Sequence, residues 1–325
     1  TGAELAWLAQ EVNSGRLKNA HAVLDNDIDL GNEQWTPIGK NATYPFAGTF
    51  DGQGHKIANL KVEGSSYLGL FGYIGTGGEV TNITIENGSI SGTDINVGGI
   101  AGYNSGIISK CVNKATVSST KNNTSSSYGL VGGITAYCAG GASISNCANF
   151  GDISGTNGYG AGGIVGNAYG GYNNKAVITN VYNNGSIYAM NWSGGIIGIS
   201  SYVELSNAYN RGSITASYTY VGELIGNRYS SNLTTSSLYY LNNTSNEAAG
   251  NTTVQATAIQ DKEAMVAALA GKVGAFVADT TPNINDGWPI LGFQDPTATY
   301  NLTLTVSPAD ATIVLTKDGE SSALA

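Results

Sequence analysis

Charged residues are scarce in this chain, and cysteine, proline and histidine are rarer still. Asp, Glu, Lys and Arg make up 11% of its 325 residues, and there are only 3 Cys, 6 Pro and 2 His. The formal net charge of −9 and the lack of any Lys/Arg cluster argue against nucleic acid as a partner. No apolar run reaches the ~18 residues of a membrane span, so we expect no membrane insertion in this chain. The lack of a Cys-x-x-Cys or Cys/His cluster argues against zinc.

What the chain has in abundance is glycine, with 46 residues beside 41% hydrophobic residues, a balance that excludes ordinary disorder. A Gly-apolar-x-Gly phrase recurs six times, at residues 69–72, 99–102, 133–136, 163–166, 195–198 and 223–226, with Ala136 ending the third copy and Glu223 opening the sixth. Its apolar second position steps by 30, 34, 30, 32 and 28 residues. A period of this length predicts a stack of structural units.

Two further patterns recur in phase with the glycine phrase. The first is Ser/Thr-Asn-apolar-x-Asn, which is usually followed by a glycine turn. The second is an apolar column at Ile90, Val117, Ile153, Ile187 and Ile214. Three short β-prone pieces separated by Gly and Asn turns predict an all-β solenoid of about six three-sided coils. Each strand would pair with its copies in the coils above and below.

The last Asn of the second pattern shares one phase with an apolar residue two positions earlier. These Asn side chains either form an inward ladder of stacked amides or adopt left-handed turn conformations, and both interpretations are structural. Cys111 and Cys147 also share a phase, which allows a disulfide, although we favour small buried side chains. Cys138 has no partner in phase. The four Asn are Asn113, Asn149, Asn183 and Asn210.

The ends of the chain differ from the repeats, and we expect residues 1–295 to form one capped solenoid. Residues 1–60 are predicted as the N-terminal cap, with a helix over 3–15 and a strand over 22–30. Residues 61–256 would form the coils. Residues 257–295 would form a C-terminal cap, in which a helix over 258–273 uses Ile259, Met265, Val266 and Leu269 as its apolar face.

After residue 295 the pattern changes to strict alternation at 301–306 and 312–315, which predicts β-strands. Residues 296–325 are therefore expected to begin a small β-sandwich, of immunoglobulin type, or to form a hairpin. We expect the chain to be a trimmed piece of a longer protein, because it starts at Thr1 and this last module is cut short at Ala325.

The opening of the chain resembles bacterial surface proteins that carry GLUG repeats, including large adhesin-like proteins. The similar stretches are residues 27–30, 35–39, 46–57 and 69–72, and residues 285–291 are similar to a phrase that closes such regions. This resemblance covers roughly residues 3–293. It implies a right-handed parallel β-helix on an extracellular bacterial protein, with a role in attachment or display. The repeat also occurs beside immunoglobulin-A-cleaving metallopeptidases, but their His-Glu-x-x-His motif is absent here.

Tyrosine supplies the candidate ligand-binding residues, since there are 19 Tyr but only 6 Phe. Tyr182 and Tyr209 share a phase and are expected to lie side by side on the outside of the rod, and Tyr188, within or beside the repeats, is a third candidate. Exposed Tyr rings can stack on sugars or anchor a protein partner. The alternative is that they are ordinary solvent-facing residues of a β-surface.

Acidic residues supply the candidate metal ligands. Asp25, Asp27 and Asp29 alternate along the predicted strand 22–30, and with Asp51 they could bind Ca²⁺. The favoured alternative is that they order turns and accept hydrogen bonds from backbone N–H groups. Other acidic residues do not recur in phase, so the coils offer no evident catalytic pair.

These patterns predict a non-enzymatic, monomeric, extracellular protein of the bacterial cell surface that binds glycans or proteins of the host or matrix. No cofactor is expected apart from possible calcium. One rival is a carbohydrate-active β-helix enzyme, either a polysaccharide lyase or a glycoside hydrolase, which would need paired carboxylates in a groove. A second rival is a structural spacer that displays another domain.

Overall fold

The structure is a computed structural model that describes residues 1–121, 129–156, 160–217, 220–229, 232–241, 256–270, 273–280, 283–297, 314–317 and 320–323. It divides the chain into two compact units, Thr1–Asp295 and Pro296–Ala325. The division falls at the position where the sequence pattern changes.

The first unit is a parallel β-helix of about seven turns, as the repeat predicted, although the number of turns is slightly higher. The third apolar column lies in register on successive rungs, where Ile90 pairs with Val117, Val117 with Ile153, and Ile153 with Ile187. The apolar second position of every glycine phrase is at most 2% exposed. Residues at equivalent positions of the repeat therefore lie above one another and form continuous buried columns.

Four parallel sheets run along the unit. Sheet A has 13 strands: His21–Val23, Ile28–Asp29, Thr49–Asp51, Lys56–Ala58, Glu79–Thr81, Thr84–Ile85, Ile107–Ser109, Val112–Asn113, Ser143–Asn149, Ala176–Asn183, Val203–Asn210, Leu233–Leu241 and Thr257–Ile259. Sheet B comprises Leu60–Gly64, Gly88–Gly92, Thr116–Ser119, Ile153–Gly155, Ile187–Ala189 and Ile214–Ala216. Sheet C comprises Phe71–Ile74, Ala101–Asn104, Thr135–Ala139, Val165–Tyr169, Ile197–Ser201 and Ile225–Arg228. Sheet D comprises Val97–Gly98, Leu130–Gly132, Gly160–Gly162, Ser193–Gly194 and Val221–Gly222.

Sheet D is a short ladder in addition to the three strand ladders that the repeat predicted. Its strands are two or three residues long and directly precede the glycine phrase. The first two residues of the phrase lie between a strand of sheet D and a strand of sheet C, so the phrase forms a corner. Pieces this short are hidden in the sequence by their small side chains, such as Gly160, Ala161 and Ser193.

The two Asn positions of the repeat have different roles, which settles the two interpretations of the ladder. The last Asn forms the inward ladder: Asn113 Nδ2 donates to Asn149 Oδ1 at 2.8 Å, and Asn149 Nδ2 donates to Asn183 Oδ1 at 2.8 Å. Asn183 donates in the same way to Asn210 at 2.9 Å. The earlier Asn instead adopts the left-handed conformation, with φ near +54° at Asn180. Asn adopts positive φ more readily than most other residues.

The N-terminal helix, α1, spans Gly2–Asn13 and buries Leu5, Leu8 and Val12, as predicted. Thr1 caps it, because its side chain accepts a hydrogen bond from Glu4 N. Gly15 follows with φ +86°. The predicted strand 22–30 is in fact two short strands, His21–Val23 and Ile28–Asp29, so the rungs begin inside the predicted cap.

The C-terminal helix, α2, spans Lys262–Leu269 and is shorter than predicted. Asp261 is its N-cap and accepts a hydrogen bond from Ala264 N at 2.8 Å, which fixes where it begins. Ile259 therefore belongs to sheet A and not to the helix, whereas Met265 and Leu269 are buried as predicted. Two short strands follow, Phe276–Val277 and Ile290–Leu291, which pair antiparallel. A 3₁₀ turn at Gly292–Gln294 comes directly after them.

We call the described part of residues 257–295 the strap. It packs along sheet A of the solenoid. Its apolar residues form one cluster with outward-facing residues of sheet A on four successive rungs. The prediction of a terminal cap is corrected accordingly, because the strap covers a side of the rod. The sheet A residues are Val112, Ala148, Tyr182 and Tyr209.

In the second unit the described strands are Val314–Lys317 and Glu320–Ala323, which pair antiparallel as a hairpin. The predicted strand at 301–306 lies outside the described residues. The sandwich alternative therefore stays a prediction.

Candidate binding surfaces

The tyrosine pair selected from the sequence is buried under the strap. Tyr182 and Tyr209 stack with centroids 4.9 Å apart and parallel rings, as their shared phase predicts, but both are 0% exposed. The expectation that they face solvent is wrong. Their rings point outward from sheet A, and Phe276 of the strap packs on both. Its ring centroid lies 6.5 Å from that of Tyr182 and 5.8 Å from that of Tyr209.

Hydrogen bonds tie the strap to this pair. Tyr182 Oη donates to Gln294 Oε1 at 2.9 Å, and Asn285 Nδ2 donates to Tyr209 Oη at 2.8 Å. Tyr209 Oη donates in turn to the carbonyl of Pro289. Burial raises the pKa of both phenols. The pair thus binds a segment of its own chain.

Tyr188, the third selected tyrosine, is 44% exposed in sheet B. Its register neighbours on the adjacent rungs are Ser154 and Thr215, so aromatic residues do not continue along its column. Tyr188 is therefore an exposed single ring outside any aromatic row.

A row of tyrosines on the outside of sheet C is the better candidate surface. Tyr73, Tyr103 and Tyr137 lie in register on three successive rungs. Their rings stack at centroid distances of 4.3 and 4.7 Å, with interplanar angles of 7° and 9°. Tyr67 packs edge-on against Tyr73 at 5.8 Å. All four rings are half-buried. We call these four residues the tyrosine row.

The geometry of the tyrosine row defines what it can contact. Because the ring faces cover one another, the row presents ring edges and hydroxyl groups. Burial raises the pKa of Tyr73 to about 12, and the neighbouring Tyr103 phenol contributes. Burial also raises the pKa of Tyr103 and of Tyr137. The phenols are therefore neutral hydrogen-bonding groups at physiological pH, held in fixed positions.

Further along the molecule a second aromatic group surrounds Trp192. Its ring contacts Tyr220 at 6.4 Å and Tyr229 at 5.8 Å, both edge-on. Trp192 also packs with Tyr137 against a small apolar cluster of Leu130, Ala136 and Ile199. This cluster joins the end of the tyrosine row to the Trp192 group.

The sequence carries a signal for the tyrosine row. Each of its three stacked members directly follows the fourth residue of a glycine phrase, at positions 73, 103 and 137. The next phrase is followed by Asn167, which pairs in register with Tyr137 and ends the stack. Recurrence in consecutive repeats predicts stacking, whereas a phase shared by Tyr182 and Tyr209 does not reveal what covers them.

The three Asp residues considered as calcium ligands do not form one site. Asp25, Asp27 and Asp29 do not share one strand, because a turn separates His21–Val23 from Ile28–Asp29. Asp27 Oδ1 accepts from Lys56 N at 2.9 Å and contacts His55 Nδ1 at 3.0 Å, while Asp29 accepts from Gly31 N at 2.8 Å. In the described ranges no group of three or more His, Cys, Asp or Glu side chains could hold a metal ion. The turn-ordering alternative fits Asp27 and Asp29.

The same role is confirmed at Asp51, whose side chain accepts from Gln53 N at 2.9 Å. Three carboxylates of the coils are paired with lysines of neighbouring rungs. Lys114 contacts Glu86 at 3.1 Å, Lys121 contacts Asp94 at 2.7 Å and Lys175 contacts Glu204 at 3.3 Å.

The three cysteines are buried and free. Cys111 and Cys147 lie on adjacent rungs, where Ala148 N donates to the Cys111 carbonyl at 3.0 Å. Burial raises the pKa of the Cys111 thiol, and that of Cys138 to about 12. They pack as small apolar side chains, as favoured from the sequence.

These features define a parallel β-helix with an outward aromatic row and a strap along one side. The chain has a similar fold to the crystal structure of a candidate immunoglobulin A1 protease from Bacteroides ovatus, with a TM-score of 0.65. The match covers 87% of this chain and 89% of the other at 20% identity, which shows the fold alone. No known protein family's sequence profile matches the chain.

Two relatives share parts of the sequence. Halomucin from Haloquadratum walsbyi is 39% identical over 80 residues, which is 24% of this chain and 1% of halomucin. A candidate Gly-rich membrane protein from Evansella cellulosilytica is 36% identical over 98 residues, which is 27% of this chain and 11% of that protein. The chain thus spans a small part of either relative. Within the described residues, no helix has both the length and the apolar character needed to cross a bilayer.

Proposed function

We propose that this chain is a non-enzymatic, monomeric part of an extracellular bacterial surface protein, and that it binds a glycan or protein of its surroundings along the tyrosine row. The observation that carries the proposal is the stacking of Tyr73, Tyr103 and Tyr137 in register on the outside of sheet C. Tyrosines held rigidly by their neighbours lose little conformational entropy when a ligand binds, and they combine apolar contact with hydrogen bonding.

The comparisons support the location. One relative is described as a Gly-rich membrane protein and the other as halomucin, and both names support a surface location. The proposed GLUG-type adhesin character rests on the resemblance of the opening residues and the repeats.

A binding role is favoured over a carbohydrate-active enzyme by the state of the acidic residues. The pKa values of Glu4, Glu11, Asp27, Asp29 and Asp94 are all lowered, in each case chiefly by a hydrogen bond to the carboxylate. A glycosidase needs a carboxyl group with a raised pKa as its general acid. The lysine pairing of Glu86 and Glu204 likewise favours a structural role.

The test is a binding screen of the whole chain on a glycan array and on immobilised collagen, fibronectin and mucin. The double variant Tyr103→Ala/Tyr137→Ala is expected to lower the signal on the bound ligand at least about tenfold. Tyr188→Ala is the matched control, since it removes an exposed tyrosine outside the row. A spacer would bind nothing in the screen, and an enzyme would shorten an arrayed glycan, so either result would overturn the proposal.

A further inference from the structure

A groove lies at the N-terminal end of sheet A, between α1 and the first strand, His21–Val23. Its volume is about 470 Å³, within the range of ligand-binding clefts. The floor of the groove is apolar and comes from the helix, the first rung and the second rung. It consists of Leu5, Leu8, Leu24, Ile28 and Phe50, all at most 8% exposed.

The strand His21–Val23 offers backbone groups to this groove. In the described part of the chain it pairs with one strand, Thr49–Asp51. That pairing uses alternate residues, because Thr49 N donates to the Ala20 carbonyl and Leu24 N donates to the Asp51 carbonyl, both at 3.0 Å. In a parallel pair the residues between these direct their N–H and C=O groups the opposite way. The backbone groups of His21 and Val23 therefore face away from the stack, as on any edge strand.

Exposed apolar side chains line the same groove. Trp7 of α1 is 57% exposed and Val23 of the strand is 53% exposed, and both line the groove. A hydrogen-bonding strand edge beside a helix, with apolar side chains on both, is the arrangement that takes up an extended peptide by strand addition. The helix buries Leu5, Leu8 and Val12 in the core, so it covers the end of the core.

The charge on the rim indicates one property of the occupant. Asp25 lines the groove, and none of the ion pairs among the described residues includes it, unlike Glu86 or Asp94 of the coils. The other acidic residue of the rim, Glu4, accepts a hydrogen bond from Thr1 Oγ1 at 2.8 Å. His21 Nδ1 is engaged by Thr49 Oγ1 at 2.7 Å. An occupant with a Lys or Arg side chain would complement Asp25.

We propose that this groove binds an extended peptide segment of another protein, which adds to sheet A beside His21–Val23. Alternate apolar side chains of the peptide pack against Trp7 and Val23, and a basic side chain pairs with Asp25. This site is independent of the tyrosine row, and its ligand class follows from the strand edge, the exposed apolar side chains and Asp25.

The test is selection of a phage-displayed random heptapeptide library on the whole chain, followed by anisotropy titrations with the enriched peptides labelled with fluorescein. Enriched peptides are expected to carry alternating apolar residues and a Lys or Arg. Val23→Pro removes an outward N–H and leaves the pairing with Thr49–Asp51 intact, a position where proline is tolerated. It is expected to weaken binding at least tenfold, Trp7→Ala likewise, and Asp25→Asn to lower affinity in a salt-dependent way.

A second experiment uses the native chain and varies the peptide instead, in case Val23→Pro misfolds. Peptides N-methylated at alternate residues are compared, because only one of the two methylated sets removes the N–H groups that face the strand. One set is expected to lose at least tenfold in affinity and the other to bind unchanged. The proposal is overturned if no peptide is enriched, if Val23→Pro binds enriched peptides normally, or if both methylated sets bind alike. Binding of a soluble oligosaccharide in the groove, unaffected by Val23→Pro, would also overturn it.

Discussion

The side-chain amide of Asn149 lies where a β-carbon on Gly133 would have to be. A methyl group at Gly133 would overlap the Asn149 amide carbon and the carbonyl oxygen of Gly163 on the next rung. The same relation joins Gly163 to Asn183 and Gly195 to Asn210. The glycine phrase and the buried Asn therefore depend on each other, because the missing glycine side chain leaves the space that the Asn amide fills.

Gly133→Ala is expected to lower the free energy of unfolding by about 1–3 kcal/mol, the usual cost of overpacking, or more, because the overlapping atoms include backbone. The measurement is the urea midpoint followed by circular dichroism. Gly171→Ala is the control, since a β-carbon there would meet nothing within 4 Å. Equal midpoints for the two variants would contradict the coupling.

Asn149→Ala is expected to cost about 2 kcal/mol or more. The substitution removes the acceptor of Asn113 Nδ2 and the donor to Asn183 Oδ1 inside the core, and each buried polar group left without a partner costs about 1–3 kcal/mol. Urea unfolding measures the change, with the exposed Asn19→Ala as control. If the two variants unfolded alike, the ladder would contribute nothing to stability.

Tyr209→Phe is expected to loosen the strap without unfolding the rod. It removes the hydroxyl that binds Asn285 and the Pro289 carbonyl, a loss of about 1–2 kcal/mol in the local opening free energy. Hydrogen exchange in α2 should then be at least about fivefold faster, because exchange there follows local opening. Tyr188→Phe should leave these rates unchanged. Unaltered exchange in Tyr209→Phe would show that the hydroxyl does not hold the strap.

Alkaline pH is expected to destabilise the molecule partly through the tyrosine row. The folded pKa of Tyr73 is about 12, whereas an unfolded tyrosine titrates near ~10. The unfolded state therefore releases this proton first, so the contribution of Tyr73 is complete below pH ~10 and is lost as the pH rises towards 12. Urea midpoints between pH 8 and pH 12 should fall less steeply for Tyr73→Phe than for the native chain. Parallel pH profiles would contradict this assignment.

The buried columns and the Asn ladder could be predicted because they depend only on register. Once residues a fixed interval apart lie on adjacent rungs, Ile90 must meet Val117 and Asn113 must meet Asn149, whatever the rest of the chain does. The N-terminal helix was equally accessible, since Leu5, Leu8 and Val12 have helical spacing.

The burial of Tyr182 and Tyr209 could not be predicted in this way. Register placed both rings correctly on the outer side of sheet A, but the residues that cover them, Gln294 and Asn285, lie 112 and 76 positions along the chain. The strap has no repeat and no phase, so no periodic pattern links it to the rungs. The short strands of sheet D escaped prediction for a different reason, because two or three small residues carry no alternation.

The measurement that tests the account most directly is the dissociation constant, by biolayer interferometry, of the strongest ligand from the binding screen for the native chain, Tyr103→Ala and Tyr188→Ala. The account predicts at least about a tenfold weaker affinity for Tyr103→Ala and a change of less than about twofold for Tyr188→Ala. Equal affinities for the native chain and Tyr103→Ala, with both proteins folded, would contradict it.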